Sequence, residues 1–425
     1  MSDHTETPNV EEAYRQSLAL LYECSTPHGF VASSVFRKNY HSVWGRDGCI
    51  CATAAFLTDD DKLLKTAIET VKTLASNQAP NGQIPSYLQL DENNEVIDIV
   101  YGGLGEITTI DANLWFMIAC QTAVDMHGDK DFITESTMEV YRKVIEFLHC
   151  IDCNSCGLLE IPVAGDWTDI LNRSYHVLYD ETLWYRALKC ASSLSEAAGR
   201  VEESENFERS AQRVKKRINA DFWWEDHDTI QRVCQKYMIK NQLDKDHSFP
   251  FFQSHLRPFA NTWSHRMDSF ANVLAALMGI APHDRIDTII DTVFERQLHK
   301  PFPLRVLDPP IQEGDADADQ LRLSDESAWH YHNGGIWPLA GGFWALLLKR
   351  VGRESDAEEA LSDLATALKV NTDGRESWGF YEYFHGREHT PAGTPRLAWN
   401  GAAFLIAYQG IRHDNIACFS RGADY

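Results

Sequence analysis

Apolar residues recur at three- and four-residue steps through most of the chain, the spacing that lines one face of an α-helix. The pattern predicts helices over 10–23, 48–57, 61–77, 107–126, 131–148, 180–198, 203–221, 267–278, 284–296, 336–351, 354–368 and 395–409. They come in pairs. Short acidic or glycine-containing turns such as Thr58-Asp59-Asp60 and Val351-Gly352-Arg353 join the members of a pair, and Asp, Ser or Thr at the starts fits N-caps. Longer connections (78–106, 152–179, 223–266 and 299–331) alternate with the short ones and hold the unusual residues. Brief β-prone runs at 96–101 and 302–307 predict small hairpins within them. Paired helices with a long loop at every second junction predict an all-α (α/α)6 toroid. Inner helices would surround a central funnel, and the loops would build a pocket at one end. An irregular bundle or an α-solenoid is the alternative, but a solenoid requires repeat-level self-similarity that this sequence lacks. No linker, low-complexity segment or composition shift divides the chain, so a single domain over 1–425 is expected.

Composition narrows the partners. Hydrophobic residues make up 44% of the 425, enough for a large core, and the formal net charge is −23. Nucleic acid and anionic membrane are polyanions and would be repelled; a strongly anionic substrate is disfavoured. The N-terminus, Met1-Ser2-Asp3-His4-Thr5-Glu6, has neither the basic nor the apolar region of a secretory signal, and no apolar run reaches bilayer-spanning length. A soluble, cytoplasmic protein is expected, its ten cysteines reduced. Cys150, Cys153 and Cys156 have metal-ligand spacing but no fourth cysteine at a comparable distance, so a turn is expected there rather than a zinc or iron–sulfur site. Cys49 and Cys51 read as small buried hydrophobes.

The densest chemistry lies at 329–344, Trp-His-Tyr-His-Asn-Gly-Gly-Ile-Trp-Pro-Leu-Ala-Gly-Gly-Phe-Trp. Gly334-Gly335 permits positive φ and close approach of a ligand, and Pro338 suits a first helical turn. His332, Asn333 and Trp337 offer rings and hydrogen bonds to a sugar's apolar faces and polar rim. The plain alternative is a turn leading into a helix with core tryptophans. Further clusters point the same way. Tyr40 and Trp44 precede an Arg46–Asp47 pair able to hold sugar hydroxyls. Asn81-Gly82-Gln83 presents an amide on a turn. Asp111 and Trp115 share one face of a mainly apolar helix, odd for a surface and apt for a pocket wall. Asp166-Trp167-Thr168-Asp169 sets two carboxylates around an indole, where desolvation would raise a carboxyl into the range of a general acid. Trp378-Gly379-Phe380-Tyr381-Glu382-Tyr383 places one carboxylate in an aromatic run, costly to bury without a role. Glu382 is the candidate base, with Glu326 in reserve. Solvated turns and ordinary caps are the alternatives throughout. Two separated carboxylates, one protonated and one ionised, are the machinery of glycoside hydrolysis, which requires no metal or organic cofactor. No serine-hydrolase elbow, P-loop, dinucleotide fingerprint or zinc-protease motif competes.

Trp44-Gly45-Arg46-Asp47 and Asp111-Ala112-Asn113-Leu114-Trp115-Phe116 resemble motifs of the glucosidase part of glycogen debranching enzymes. Tyr331-His332-Asn333-Gly334-Gly335-Ile336-Trp337-Pro338, and Pro303-Leu304-Arg305 with Pro309, resemble plant-type neutral/alkaline invertases. The motifs run in family order from about Tyr40 to Ala407. The resemblance implies an (α/α)6 glycoside hydrolase. Its acid is the Asp closing a Trp-Met-Asp or Met-Ile-Asp triplet, matched by Asp169; its base is the Glu before a Tyr-Tyr or Tyr-Phe pair, matched by Glu382. Invertases follow the acid with Arg-Arg-Met, whereas Ile170-Leu171-Asn172-Arg173 stands here, so the leaving-group side is expected to differ. The chain also lacks the glucanotransferase part of full debranching enzymes. The expectation is an inverting exo-glycosidase that removes a terminal α-glucosyl unit from a small glycoside, with its carboxyls roughly 6.5–9.5 Å apart. The other clusters, Gln83, Trp378 and Tyr383 included, would hold the sugar. A sucrose-hydrolysing invertase-like enzyme is the nearest alternative. A sugar epimerase or isomerase using His330 and His332, and a non-catalytic sugar-binding protein, are more distant ones. A homo-oligomer is left open.

Overall fold

The computed structural model describes residues 10–37, 39–102, 109–128, 130–240, 248–260, 265–315, 317–318, 327–372, 378–415 and 419. Its helices are α1 (Val10–Glu23), α2 (Gly45–Phe56), α3 (Asp61–Ser76), α4 (Asp111–His127), α5 (Glu135–Ile151), α6 (Leu178–Ala197) and α7 (Val201–Asp221). They continue with α8 (His227–Tyr237), α9 (Ser269–Leu277), α10 (His283–Glu295), α11 (Pro338–Arg350), α12 (Glu354–Lys369) and α13 (Ala398–His413). Helices α2, α4, α6, α9, α11 and α13 form a closed ring, each packed on the next and α13 returning to α2. Around them stand α3, α5, α7, α10, α12 and α1, each against its inner partner. This is the expected (α/α)6 toroid.

Sequence explains which helix goes where. In α3 the side chain of Asp60 caps the N–H groups of Lys62 and Leu63, and Leu63, Thr66, Ala67, Thr70, Val71 and Leu74 form one buried stripe. That is an outer helix, wet on one side. In α11 every residue from Pro338 to Leu348 is buried, and the first charges are Lys349 and Arg350. A helix apolar all round has no side to give to water, so it goes inside.

Short antiparallel pairs decorate one end: β1 (Ser25–Thr26) with β2 (Gly29–Phe30), and β3 (Ser42–Trp44), β4 (Tyr87–Leu90) and β5 (Val96–Val100) as a three-stranded sheet. Then come β6 (His176–Val177) with β7 (His255–Leu256), β8 (Met267–Asp268) with β9 (Leu307–Asp308), and β10 (Tyr383–Phe384) with β11 (Pro391–Ala392). The run at 96–101 is therefore a strand, whereas 302–307 pairs only at Arg305, with Ile336, and at Leu307, with Asp268. The segment 267–278 is not one helix, because Asp268 accepts the N–H of Ala271 (2.9 Å) and starts α9 after itself. Helix α8 was not expected within 223–266. It stands outside the ring and breaks the alternation of short and long connections, although Ile230, Val233, Cys234 and Tyr237 are helically spaced. No described helix is long and apolar enough to cross a membrane.

Strands β3, β6 and β8 lead directly into α2, α6 and α9, so these inner helices begin where the long connections gather. Three buried asparagines in the first turns of inner helices fasten those connections. Asn113 accepts the N–H of Ile84 (3.2 Å) and donates to the Gly82 carbonyl (3.3 Å). Asn272 accepts from Phe252 N–H (2.8 Å) and donates to the Phe252 carbonyl (3.0 Å), and Asn400 donates to the Tyr381 carbonyl (2.7 Å). Each amide bonds to backbone polar groups of a neighbouring connection. Asn272→Ala should leave both polar groups of Phe252 buried and unmet, lowering stability by about 1–3 kcal/mol. Urea unfolding reads this directly, and an unchanged midpoint would refute the clip.

Candidate active site

A cavity of about 280 Å3 opens at this end of the ring. Tyr40 and Trp44 reach it from the connection before α2, and Arg46 and Asp47 from the first turn of α2. Asp166, Trp167 and Asp169 come from the connection before β6, Tyr331 from the one before α11, and Glu382 from the residue before β10. Trp399, in the first turn of α13, completes the wall. The two carboxylates singled out from the sequence thus face one space.

Glu382 is buried, 4% exposed, and held at both oxygens. The Tyr40 hydroxyl lies 3.1 Å from each oxygen, and the Thr394 N–H donates to Oε2 at 2.9 Å. Burial pushes its carboxyl up to about 7 against these donors, with the charges of Asp47 and Asp169 adding to the rise. Gly393 (φ +76°) makes the hold feasible, since a Cβ there would sit 2.4 Å from Oε2.

Asp169 rides on a loop closed by the backbone bridge between Ile161 and Tyr175. Its side chain is 32% exposed. Asp166 shapes the loop from inside: Oδ1 accepts the Thr168 N–H and hydroxyl (both 2.6 Å), and Oδ2 accepts Nε and Nη2 of Arg173 (3.0 and 2.9 Å). Arg173 also pairs with Asp268 at the start of α9. His332 Nε2 is 3.9 Å from Asp169 Oδ1, but burial holds this imidazole far below its ordinary range, so the contact is to a neutral ring. That ring stacks on Trp337 at 4.4 Å and 4°.

Under the cavity Arg46 bridges Asp47 (3.3 Å) and Asp111 (3.1 Å), and its guanidinium lies over the Trp399 ring at 5.4 Å. Burial raises both carboxyls despite this partner, while on Arg46 the two carboxylates outweigh burial and keep it charged. Asp180 in α6 is wholly buried, and burial, then Asp166 and Asp111, push its carboxyl far up.

Of the residues expected to touch a ligand, Tyr40, Trp44, Arg46, Asp47, Asp166, Trp167, Asp169 and Glu382 line the cavity. Others stand behind it. Asp111 anchors Arg46, and the Asp111–Trp115 face is core rather than wall, because the Trp115 indole N–H is spent on Tyr179 (2.9 Å) and its ring packs on Phe343. His332, Trp337 and Tyr383 form a stacked layer outside the lining. Asn333 exchanges both hydrogen bonds with Ile311 (2.7 and 2.9 Å), and Gly334 at φ +89° lets Pro310 close in. Gln83 donates to the Tyr101 carbonyl (2.6 Å) and Trp378 packs beside Phe380, both outside the lining. Glu326 lies outside the described residues. Tyr331, Trp399, Thr109, Arg173, Asp180 and Gly393 were not expected as site residues, although Tyr331 and Arg173 stood within motifs named above. Only Trp399 left a readable sign: like Trp44 and Trp337, it marks the start of an inner helix.

Solved structures that superpose on this ring include glycosidases. A bacterial glucoamylase complexed with acarbose superposes with a TM-score of 0.66 at 14% identity, covering 97% of this chain and 57% of that one. A GH63 mannosylglycerate hydrolase from Thermus thermophilus in complex with glucose gives 0.65 at 14%, covering 92% and 99%. The ring is that of the six-hairpin glycoside hydrolases. The chain belongs to the family of alkaline and neutral invertases and amylo-alpha-1,6-glucosidases: residues 11–252 match the former's model and residues 178–406 the latter's. Probable alkaline/neutral invertase A, chloroplastic, of Arabidopsis thaliana is 21% identical over 96% of this chain and 71% of its own length. Cytosolic invertase 1 of Oryza sativa subsp. japonica is 22% identical over 93% and 76%.

If Arg173 carries the loop of Asp169, Arg173→Met should strip two buried carboxylates of their cation and destabilise the protein by about 3–5 kcal/mol. Calorimetry would show the loss, and a melting temperature equal to the parent's would argue that the network is dispensable.

Proposed function

We propose that the chain is an inverting exo-glycosidase that hydrolyses the terminal α-glucosyl bond of a small glycoside. The observation that carries this reading is the meeting of Asp169 and Glu382 on one small cavity. Its 280 Å3 lies just under the usual range for ligand pockets, room for a single sugar ring and part of an acceptor rather than a polymer. Asp169 protonates the glycosidic oxygen. Glu382 takes the proton from a water that attacks the opposite face of the ring. The indole N–H groups of Trp167 and Trp399 are buried without a hydrogen-bond acceptor among the described residues, and both rings line the cavity. Sugar hydroxyls would meet that need, with the Arg46–Asp47 pair holding the glycone from below.

The names of the relatives favour a glucosyl glycone and bring sucrose forward as the nearest alternative substrate. Against sucrose, Ile170 lines the cavity beside Asp169 at the position where the invertase pattern has arginine. Its apolar side chain suits a less polar acceptor. A second reading exchanges the two roles, because the raised carboxyl is Glu382.

Incubating the protein with a panel of small glucosides, sucrose included, and following the new anomer by NMR tests substrate and stereochemistry together. β-Glucose should form first; initial α-glucose, or no free glucose from any member, would overturn the proposal. Roles separate on α-glucosyl fluoride, whose leaving group needs no protonation. Asp169→Asn should keep most turnover on the fluoride while losing at least about 100-fold on ordinary glucosides, within the range general acid catalysis contributes. Glu382→Gln should be inactive on both.

The pH profile gives an independent check. A base must be ionised, so with Glu382 near 7 the kcat/KM should fall as pH drops through about 7. Were Glu382 the acid, activity would instead fall as pH rises through that value.

A further inference from the structure

Behind the Asp169 loop lies a second cavity of about 860 Å3, bounded by that loop's stem and by α7 and α8. Pro162, Val163, Ser174 and Tyr175 of the stem face it, while Asp166, Trp167 and Asp169 of the same loop face the first cavity. In its wall a thiol meets a histidine. Cys156 Sγ is 3.7 Å from His176 Nε2. Nδ1 of that ring is 2.8 Å from the Leu159 carbonyl, which can only accept, so Nδ1 carries a proton and Nε2 is left to face the sulfur. Behind the ring, Glu181 Oε1 lies 3.5 Å from Nδ1 in a fully buried position. Nucleophile, base and orienting acid stand in the order that activates a cysteine.

The surroundings are cationic on a chain of net charge −23. Arg217, Lys236 and Arg257 line the cavity. Asp221 engages Arg217 (3.3 Å) and Lys236 (2.6 Å), and Glu160 also lines the space, but Arg257 has no carboxylate partner among the described residues. We propose that Cys156 is a thiol-modification site for small carboxylate-bearing disulfides, and that the resulting adduct acts on the loop that carries Asp169.

The step balances without an outside oxidant. His176 Nε2 takes the thiol proton, and the Cys156 sulfur attacks one sulfur of the incoming disulfide. A new S–S bond forms as the old one breaks, and the departing thiolate recovers the proton from the imidazolium. Cys156 is oxidised and the departing half is reduced. Glu181, together with the sulfur itself, raises His176 against the opposing effect of burial and so favours the ion pair. Among the described residues two other cysteines are more exposed, Cys150 and Cys153. Burial and the neighbouring Glu160 push the Cys153 thiol up, so exposure and reactivity point to different residues.

The test is to treat the intact chain with oxidised glutathione or with cystamine, a cationic disulfide, and to map adducts by mass spectrometry without reduction. Oxidised glutathione should label Cys156 before Cys150 or Cys153 and at least ten times faster than cystamine does, the reverse of what the overall charge would favour. Arg257→Ala should shrink that preference, and His176→Gln should slow labelling at least tenfold. The probe comparison needs no variant to fold. Hydrogen exchange over 161–175 should rise in the adduct. Labelling that follows exposure, or cystamine reacting as fast, would overturn the site; an adduct at Cys156 with unchanged exchange would overturn its action on the loop. None of these readouts needs a glycosidase substrate.

Discussion

Charge shut away from water is what the site is built on. Asp47 and Asp111 share Arg46, and Asp166 and Asp268 share Arg173, all almost out of solvent. A lone buried carboxylate would cost more than the whole stability margin of a fold, so each must be paired, hydrogen-bonded or neutral. All three solutions occur within one cluster. Asp166 collects four hydrogen bonds, Asp111 shares a guanidinium, and burial pushes the Asp180 carboxyl far toward its neutral form. The partners come from α2, α4, α6, the segment just before α9 and the Asp169 loop, so no one element can shift without stranding another's charge. The cavity floor is rigid because moving it would strand ions.

The ring itself was legible because helical periodicity is local and the inner helices differ from the outer ones in kind. The division of labour within each motif was not. Trp-Gly-Arg-Asp at 44–47 delivers three side chains to the cavity, whereas Asp111 and Trp115 support it from beneath, yet both stretches mix the same residue types. Spacing shows that two side chains share a face but is silent on what that face meets. Arg173 shows the limit in the other direction. As part of a departure from the invertase pattern it pointed outward to the leaving group; the structure turns it inward onto Asp166 and Asp268. Gly393 could not be found at all, since its meaning is a distance to Glu382 across a hairpin.

The unequal burial of the two carboxyls bears on which one carries the proton when sugar is bound. In the free cavity, desolvation weighs on Glu382 and much less on Asp169, a third of whose side chain is open. A sugar ring would expel that water and place both acids in a dry site, each within the other's field. Two like charges there are costly, so binding favours one shared proton, and its position follows from the neighbours. Glu382 keeps the Tyr40 hydroxyl and the Thr394 N–H, both donors that stabilise its anion. Across from it, Asp169 meets a His332 that burial holds neutral, so this ring adds no charge of its own to favour ionisation. Under the glycosidase reading the proton therefore moves toward Asp169 as the substrate fills the cavity, and Glu382, whose carboxyl burial raises in the empty site, becomes the base when the site is occupied.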